Sequence, residues 1–158
     1  MEEPVSGGVG AQRERLAEGL RNYGAGFTEL GRRFAARIGV HSTDAFALLE
    51  IASAEERGAP LSPASLGRRI PLSSGAMTAL LNRLEEAGYV TRTRGHADRR
   101  IVTLHSSPRV RELADEFFGP VNARQDAVLS RYPAELLEQF EALLSELSSA
   151  MEDGPDSP

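Results

Sequence analysis

The chain has 158 residues, 41% of them hydrophobic and 26% charged, which suits one ordinary globular domain. Cysteine is absent, and this excludes disulfides, thiolate metal sites and thiol-based redox sensing together. The net charge of −5 is segregated: residues 57–111 hold ten arginines against three acids, a balance of +7, and the flanks carry −12. Charges further apart than roughly 8 Å are largely screened at physiological salt, so a phosphate near the centre meets a basic surface. All eighteen basic residues are arginine.

Residues 1–10 are Gly-rich and polar and read as a disordered tail. Gly7-Gly8-Val9-Gly10 superficially resembles a phosphate loop, but it follows no strand and lacks the later glycine. No run approaches the ~18 to 20 apolar residues of a membrane span, and MEEPVSGGVG lacks the basic and apolar regions of a signal peptide, so a cytoplasmic protein is expected. From Ala11 to Ile38 apolar residues recur at helical spacing through Leu16, Leu20, Tyr23, Phe27, Leu30 and Phe34. So long a stripe needs a broad partner surface. Gly39 ends that helix, and Ser42 or Thr43 caps the next, which carries Phe46, Leu48, Leu49 and Ile51 and runs to about Arg57.

After the loop Gly58-Ala59-Pro60, Ser62 caps a short helix with Pro63 in its first position and Leu66 and Ile70 on one face; Pro71 stops it. Ser73 or Ser74 starts a second helix in which Met77, Leu80, Leu81 and Leu84 form one buried stripe, and Gly88 terminates it. The pair makes a helix-turn-helix. The period then changes from 3.6 to 2 in Tyr89–Arg94 and again in Arg99–Leu104, with Gly95-His96-Ala97-Asp98 as a turn, which reads as a hairpin or wing. Ser106-Ser107-Pro108 resets the chain into a helix with Val110, Leu113, Phe117, Val121 and Val128 near one face. Pro133 begins a last helix whose apolar face runs from Leu136 to Met151, and residues 152–158 fray.

A helix-turn-helix followed by LLNRLEEAGYV and a hairpin whose tip reads Asp98-Arg99-Arg100 resembles the MarR family of bacterial winged-helix transcription regulators. GVHSTDAFALLEIA resembles the family's segment ahead of the DNA-reading unit; TLHSSP departs from it, standing where a Leu-Thr and a glycine are common. The resemblance implies a mainly α fold with a small β-hairpin: one domain over 11–151, with a winged helix-turn-helix at 42–104 and dimerisation helices at 11–38 and 107–151. It also implies a homodimer, most often a repressor, on a pseudopalindromic double-stranded DNA operator. A winged helix used for protein contacts without specific DNA binding is the alternative. No nucleophile with a base, metal cluster or true phosphate loop is legible, so no enzymatic activity, cofactor or metal is expected.

The DNA candidates follow from the residues. On the second helix Ser74, Thr78 and Asn82 lie opposite the core stripe with Gly75 and Ala79 beside them; small and short polar groups let a helix sit deep in the major groove, where a carboxamide can pair with adenine. A plain solvated face would more usually carry Glu and Arg pairs. Ser73 and Ser74 bring backbone N–H groups to a phosphate. Arg68 and Arg69 are phosphate candidates, and Arg83 either resembles the family's phosphate clamp or pairs with an acid such as Glu86. In the wing Arg92, Arg94, Arg99 and Arg100 gather; the resemblance implies that Arg100 enters the minor groove while Asp98 folds back on a neighbouring arginine. Many relatives release DNA on binding a small, often phenolic or anionic aromatic ligand. Tyr23, Phe27, Phe34, His41 and Phe46 are candidate linings here, with core packing the competing role of the apolar ones. A zinc site at His41 and His105 lacks the companion ligands.

Overall fold

The computed structural model describes residues 6–95 and 97–152; the expectations for the extreme termini, and His96 in the wing turn, lie outside them. The elements run α1 (Ser6–Ile38), α2 (Ser42–Glu56), α3 (Pro63–Arg69), α4 (Ser74–Glu86), β1 (Val90–Arg94), β2 (Val102–Ser106), α5 (Pro108–Leu129) and α6 (Ala134–Glu152). The class is the expected one, mainly helical with a two-stranded antiparallel hairpin. The described residues gather into two compact units that divide between Ala114 and Asp115, inside α5.

The first unit holds the buried core. Leu48 and Ile51 of α2, Leu66 of α3, Leu80, Leu81 and Leu84 of α4, Val90 and Leu104 of the hairpin and Val110 at the start of α5 form one cluster. The α4 stripe predicted from spacing is the buried face of that helix. Gly88, with φ of 75°, takes the left-handed conformation that ends α4 and turns the chain into β1. Ser62 and Ser73 cap α3 and α4 as expected, their hydroxyls accepting from Ser65 N at 3.1 Å and Ala76 N at 3.2 Å.

Several boundaries differ from expectation. Helix α1 starts at Ser6, so residues 6–10 are helical rather than a free tail. Helix α2 is preceded by His41 as its capping position, not Ser42 or Thr43, because Val40 N bonds back to Ala35 O and Ala45 N already bonds to His41 O; His41 gives no side-chain cap. Strand β2 starts at Val102 rather than Arg99, because residues 98–101 are used in closing the turn.

Between α1 and α2 the packing is close at one point. A Cβ built on Gly31 would lie 2.5 Å from Cε1 of Phe46, so the ring of α2 occupies the place where α1 has no side chain. Phe34, one turn on, is completely buried. Further towards its start α1 leaves Tyr23 and Phe27 mostly exposed. In the second unit Phe117 and Phe118 meet edge to face at 4.9 Å, and α6 leaves Phe140, Leu143, Leu144 and Leu147 exposed.

Truncating Leu84 to Ala, in the middle of the core cluster, should cost about 2 to 5 kcal/mol of unfolding free energy. Ser73→Ala should cost about 1 kcal/mol through the lost cap. Urea denaturation followed by circular dichroism checks both.

Candidate nucleic-acid interface

Helix α4 turns its core stripe inward and leaves Ser74, Gly75, Thr78 and Asn82 exposed on the other side. At its start, Ser73 Oγ takes the Ala76 N–H, and among the described residues the N–H groups of Ser74 and Gly75 have no protein acceptor. Thr78 donates its hydroxyl proton to Ser74 O at 2.9 Å, so it faces solvent as an acceptor. Asn82 accepts from Arg92 Nη2 at 3.0 Å.

The arginines divide by partner. Arg83 Nε and Nη2 donate to Asp44 Oδ2 and Oδ1 at 3.0 and 2.8 Å, a two-pronged pair across 39 positions in sequence. Glu86, the acid expected from helical spacing, is not its partner. Asp44 has a side chain 3% exposed against 47% for Arg83. The carboxylate is thus the member that depends on the pair, since a buried charge without a partner is strongly unfavourable. The hydrogen bonds to Asp44 hold the Arg83 guanidinium above its ordinary pKa. Arg83 is therefore a tie between α4 and α2 in the free protein, rather than an unengaged clamp. Arg69 pairs with Glu50 of α2 at 2.8 Å, and Arg68 donates to Ser65 Oγ at 3.3 Å.

In the hairpin Arg92 is opposite Leu104 and Arg94 is opposite Val102. Directly opposed residues share a face, so both arginines lie on the face that also carries buried Val90 and Leu104. Arg92 turns back to α4, with Nε 3.0 Å from Glu85 Oε1. Arg94 Nη1 donates to Arg99 O at 3.0 Å and so braces the tip. At the tip, Asp98 Oδ1 accepts the backbone N–H of Arg100 at 2.9 Å and its Nε at 3.3 Å, the fold-back expected of it. The Arg100 side chain is 93% exposed. Among the described residues, the Arg99 guanidinium has no hydrogen-bond or ion-pair partner.

The base of the wing is fixed by residues that sequence spacing did not single out. Leu104 N donates to Leu61 O at 2.8 Å, and Tyr89 OH donates to Ile38 O at 3.2 Å. Glu55 of α2 accepts from the Ser106 N–H at 3.1 Å, from Ser106 Oγ at 2.9 Å and from His105 Nδ1 at 3.2 Å, with Arg111 of α5 3.4 Å away. A carboxylate has only acceptors, so Nδ1 carries the proton. His105 Nε2 lies 3.0 Å from the hydroxyls of both Thr93 and Thr103. Burial works to raise the pKa of Glu55, but the Ser106 and His105 hydrogen bonds and the Arg111 charge outweigh it and hold the group below 4.5.

The expected ligand linings do not converge. Phe34 is sealed in the core and Phe46 fills the space at Gly31, while Tyr23 and Phe27 lie on the outer stripe of α1. His41 borders a cleft of about 320 Å³, which lies over the Asp44–Arg83 pair between Gly39–His41 and Leu84 and Ala87. Among the described residues no group of three His, Asp or Glu side chains could hold a metal ion, and no helix is long and apolar enough to cross a membrane.

Two helices joined by a tight turn, with an arginine-tipped hairpin packed beside the second, define a winged helix-turn-helix. Residues 38–101 match the sequence profile of the MarR family. The HTH-type transcriptional regulator YcgE of Bacillus subtilis, itself uncharacterised, is 29% identical over 116 residues, 73% of each chain. Among solved structures, a MarR family protein from Bacillus stearothermophilus superposes with a TM-score of 0.63 at 22% identity, over 90% of this chain and 97% of its own. FabT of Streptococcus pneumoniae, solved in complex with DNA, gives 0.61 at 21%, over 89% and 98%. Over residues 38–101 the chain is thus similar to the MarR family of transcriptional regulators, and its fold is the winged helix-turn-helix of the solved structures.

The lowered pKa of Glu55 makes a pH prediction. Its ionised form is favoured by folding, so its stabilising contribution is complete above about pH 4.5 and is lost as pH falls through the lower folded-state value. Glu55→Gln should therefore be less stable than the wild type at pH 7, and the difference should shrink towards pH 3. Urea unfolding at the two pH values reads it.

Proposed function

We propose that the chain acts as a homodimeric repressor on a pseudopalindromic operator with half-sites about one helical turn, ~10 bp, apart. The observation that carries this reading is the surface formed by α4 and the wing tip: small and short polar side chains along an exposed helix face, beside Arg99, which has no partner among the described residues, and Arg100 almost fully in solvent. Ser74, Gly75, Thr78 and Asn82 enter the major groove, and the unpartnered N–H groups at the start of α4, with Ser73, meet a phosphate. Arg100, shaped by Asp98, enters the minor groove, where narrow A·T-rich stretches concentrate negative potential. Arg68, Arg69, Arg94 and Arg99 supply the surrounding positive field, and Arg83 joins it only at the cost of its bond to Asp44. The DNA-bound FabT, similar in fold, supports this placement. Blocking polymerase at the operator is how such a dimer represses.

The dimer accounts for the apolar side chains left exposed on α1 and on α6. A second copy is the surface that covers them, and α1, α5 and α6 (11–38 and 107–151 in the sequence) are its dimerisation helices. A small aromatic or phenolic effector that releases DNA fits the same scheme, with the cleft beside His41 as its place of entry.

Titration of the purified protein against DNA from upstream of its own gene, at several salt concentrations, tests DNA binding. About 8 phosphate contacts would cost several powers of ten in affinity on moderate salt addition, at ~0.9 in the slope of log K per contact. Arg99→Ala/Arg100→Ala, folded normally, should lose at least about tenfold in affinity and flatten the salt slope. Equal, weak binding of specific and random DNA by both proteins would sink the reading and leave a protein-contact module. Sedimentation tests the dimer separately: Leu143→Glu/Leu147→Glu should yield monomers, and a wild type already monomeric would remove the two-fold operator.

A further inference from the structure

Asn82 and Glu85 are three residues apart on α4 and so share a face. The guanidinium of Arg92 reaches from β1 to both, with Nη2 donating to Asn82 Oδ1 at 3.0 Å and Nε 3.0 Å from Glu85 Oε1. The Arg92 and Glu85 side chains are only about a third exposed, at 31% and 36%, so the guanidinium is held at two points against the helix rather than sweeping through solvent.

A guanidinium has five N–H donors and no acceptor. The carboxamide atom that faces it is therefore the oxygen, since the reverse orientation would set the NH₂ group against another donor. Chemistry alone fixes which way the amide points. What remains for an outside partner is the NH₂ group, a pure donor.

Base edges in the major groove differ in this respect. Asparagine pairs with adenine through both of its atoms, the oxygen accepting from N6 and the nitrogen donating to N7. In Asn82 that oxygen already holds a charge-assisted bond, which adenine would have to share or displace. Guanine offers N7 and O6 and thymine offers O4, all acceptors; adenine offers only N7, beside an N6 donor that meets the oxygen already held by Arg92, and cytosine presents a donor. Resting on the placement of α4 in the major groove, we infer that Arg92 is a positioning residue for base recognition: it makes Asn82 a donor-only reader that selects guanine or thymine over adenine at the base it faces. This replaces two expectations from the sequence, that Asn82 pairs with adenine and that Arg92 meets DNA directly.

The test is selection of binding sites from a randomised duplex library by the full chain and by Asn82→Ala, Arg92→Met and Arg92→Lys, each checked for wild-type melting. The wild type should select guanine or thymine at one position of each half-site, and Asn82→Ala should flatten that position alone. Arg92→Met should keep the rest of the motif while adenine gains about tenfold at that position. Arg92→Lys keeps the charge and the stem, so it stands in if the Met variant does not fold; its single ammonium should give a smaller gain. Loss of a merely structural contact would weaken all positions together and leave the base preference unmoved. Adenine at the Asn82-sensitive position in the wild type overturns the inference, as does an unchanged preference in both Arg92 variants or a position set that Asn82→Ala leaves intact; in each case the placement of α4 still stands. Absence of any enriched motif with the wild type overturns both.

Discussion

A helix enclosed by its neighbours has to satisfy its charged groups against them, and α2 is such a helix. It buries Ala45, Ala47, Leu48, Ile51, Ala52 and Ala54, yet it also carries Asp44, Glu50 and Glu55. Each carboxylate holds a different part of the winged helix-turn-helix: Asp44 takes Arg83 of α4, Glu50 takes Arg69 of α3, and Glu55 takes the end of β2 and Arg111 of α5. The apolar contacts bring these elements together without direction. The three ion-paired acids then fix where each lies along α2, because a hydrogen-bonded charge pair tolerates little sliding.

This arrangement also sorts the positive charge of the central segment. Arg69, Arg83, Arg92 and Arg111 are each close to an acid, so much of the local excess is neutralised within the fold. Arg57, Arg68 and Arg94 donate to hydroxyl or carbonyl oxygens instead of acids, and at the wing tip Arg99 has no acid partner among the described residues while Arg100 is 93% exposed despite its contact with Asp98. A formal balance of +7 over residues 57–111 thus understates how sharply the field is focused. A ligand of extended negative charge meets few strong points separated by neutral surface, and its registration depends on matching that spacing.

What could be read from the sequence was what local geometry determines. The α4 stripe, the serine caps of α3 and α4 and the stop at Gly88 depend on neighbours within about a turn, and each is where the spacing put it. The partners of the arginines were not legible, since Asp44 is 39 residues from Arg83 and Glu55 is 50 from His105. One signal was present: Asp44 is four residues before Leu48, on the apolar side of α2, where a carboxylate requires a counter-charge. The start of β2 was misread because Arg99-Arg100-Ile101-Val102 continues an alternating pattern, while the Asp98 carboxylate draws the chain into a turn that periodicity cannot register. The aromatic residues of α1 and α2 were ambiguous for a similar reason: spacing cannot tell a residue that fills a neighbour's gap, as Phe46 does, from one that borders a cavity.

The fit of Phe46 against Gly31 makes α1 a lever. Twenty-five residues of helix separate Gly31 from the start of α1 at Ser6, about 38 Å at ~1.5 Å per residue. A tilt of about 5° at the point where the ring meets the backbone displaces the far end by about 3 Å, close to the diameter of a water molecule. Side chains near that fulcrum govern the angle, and side chains near the tip amplify it. A substitution that enlarges Gly31 is therefore felt most at the opposite end of the helix, among residues that never touch it.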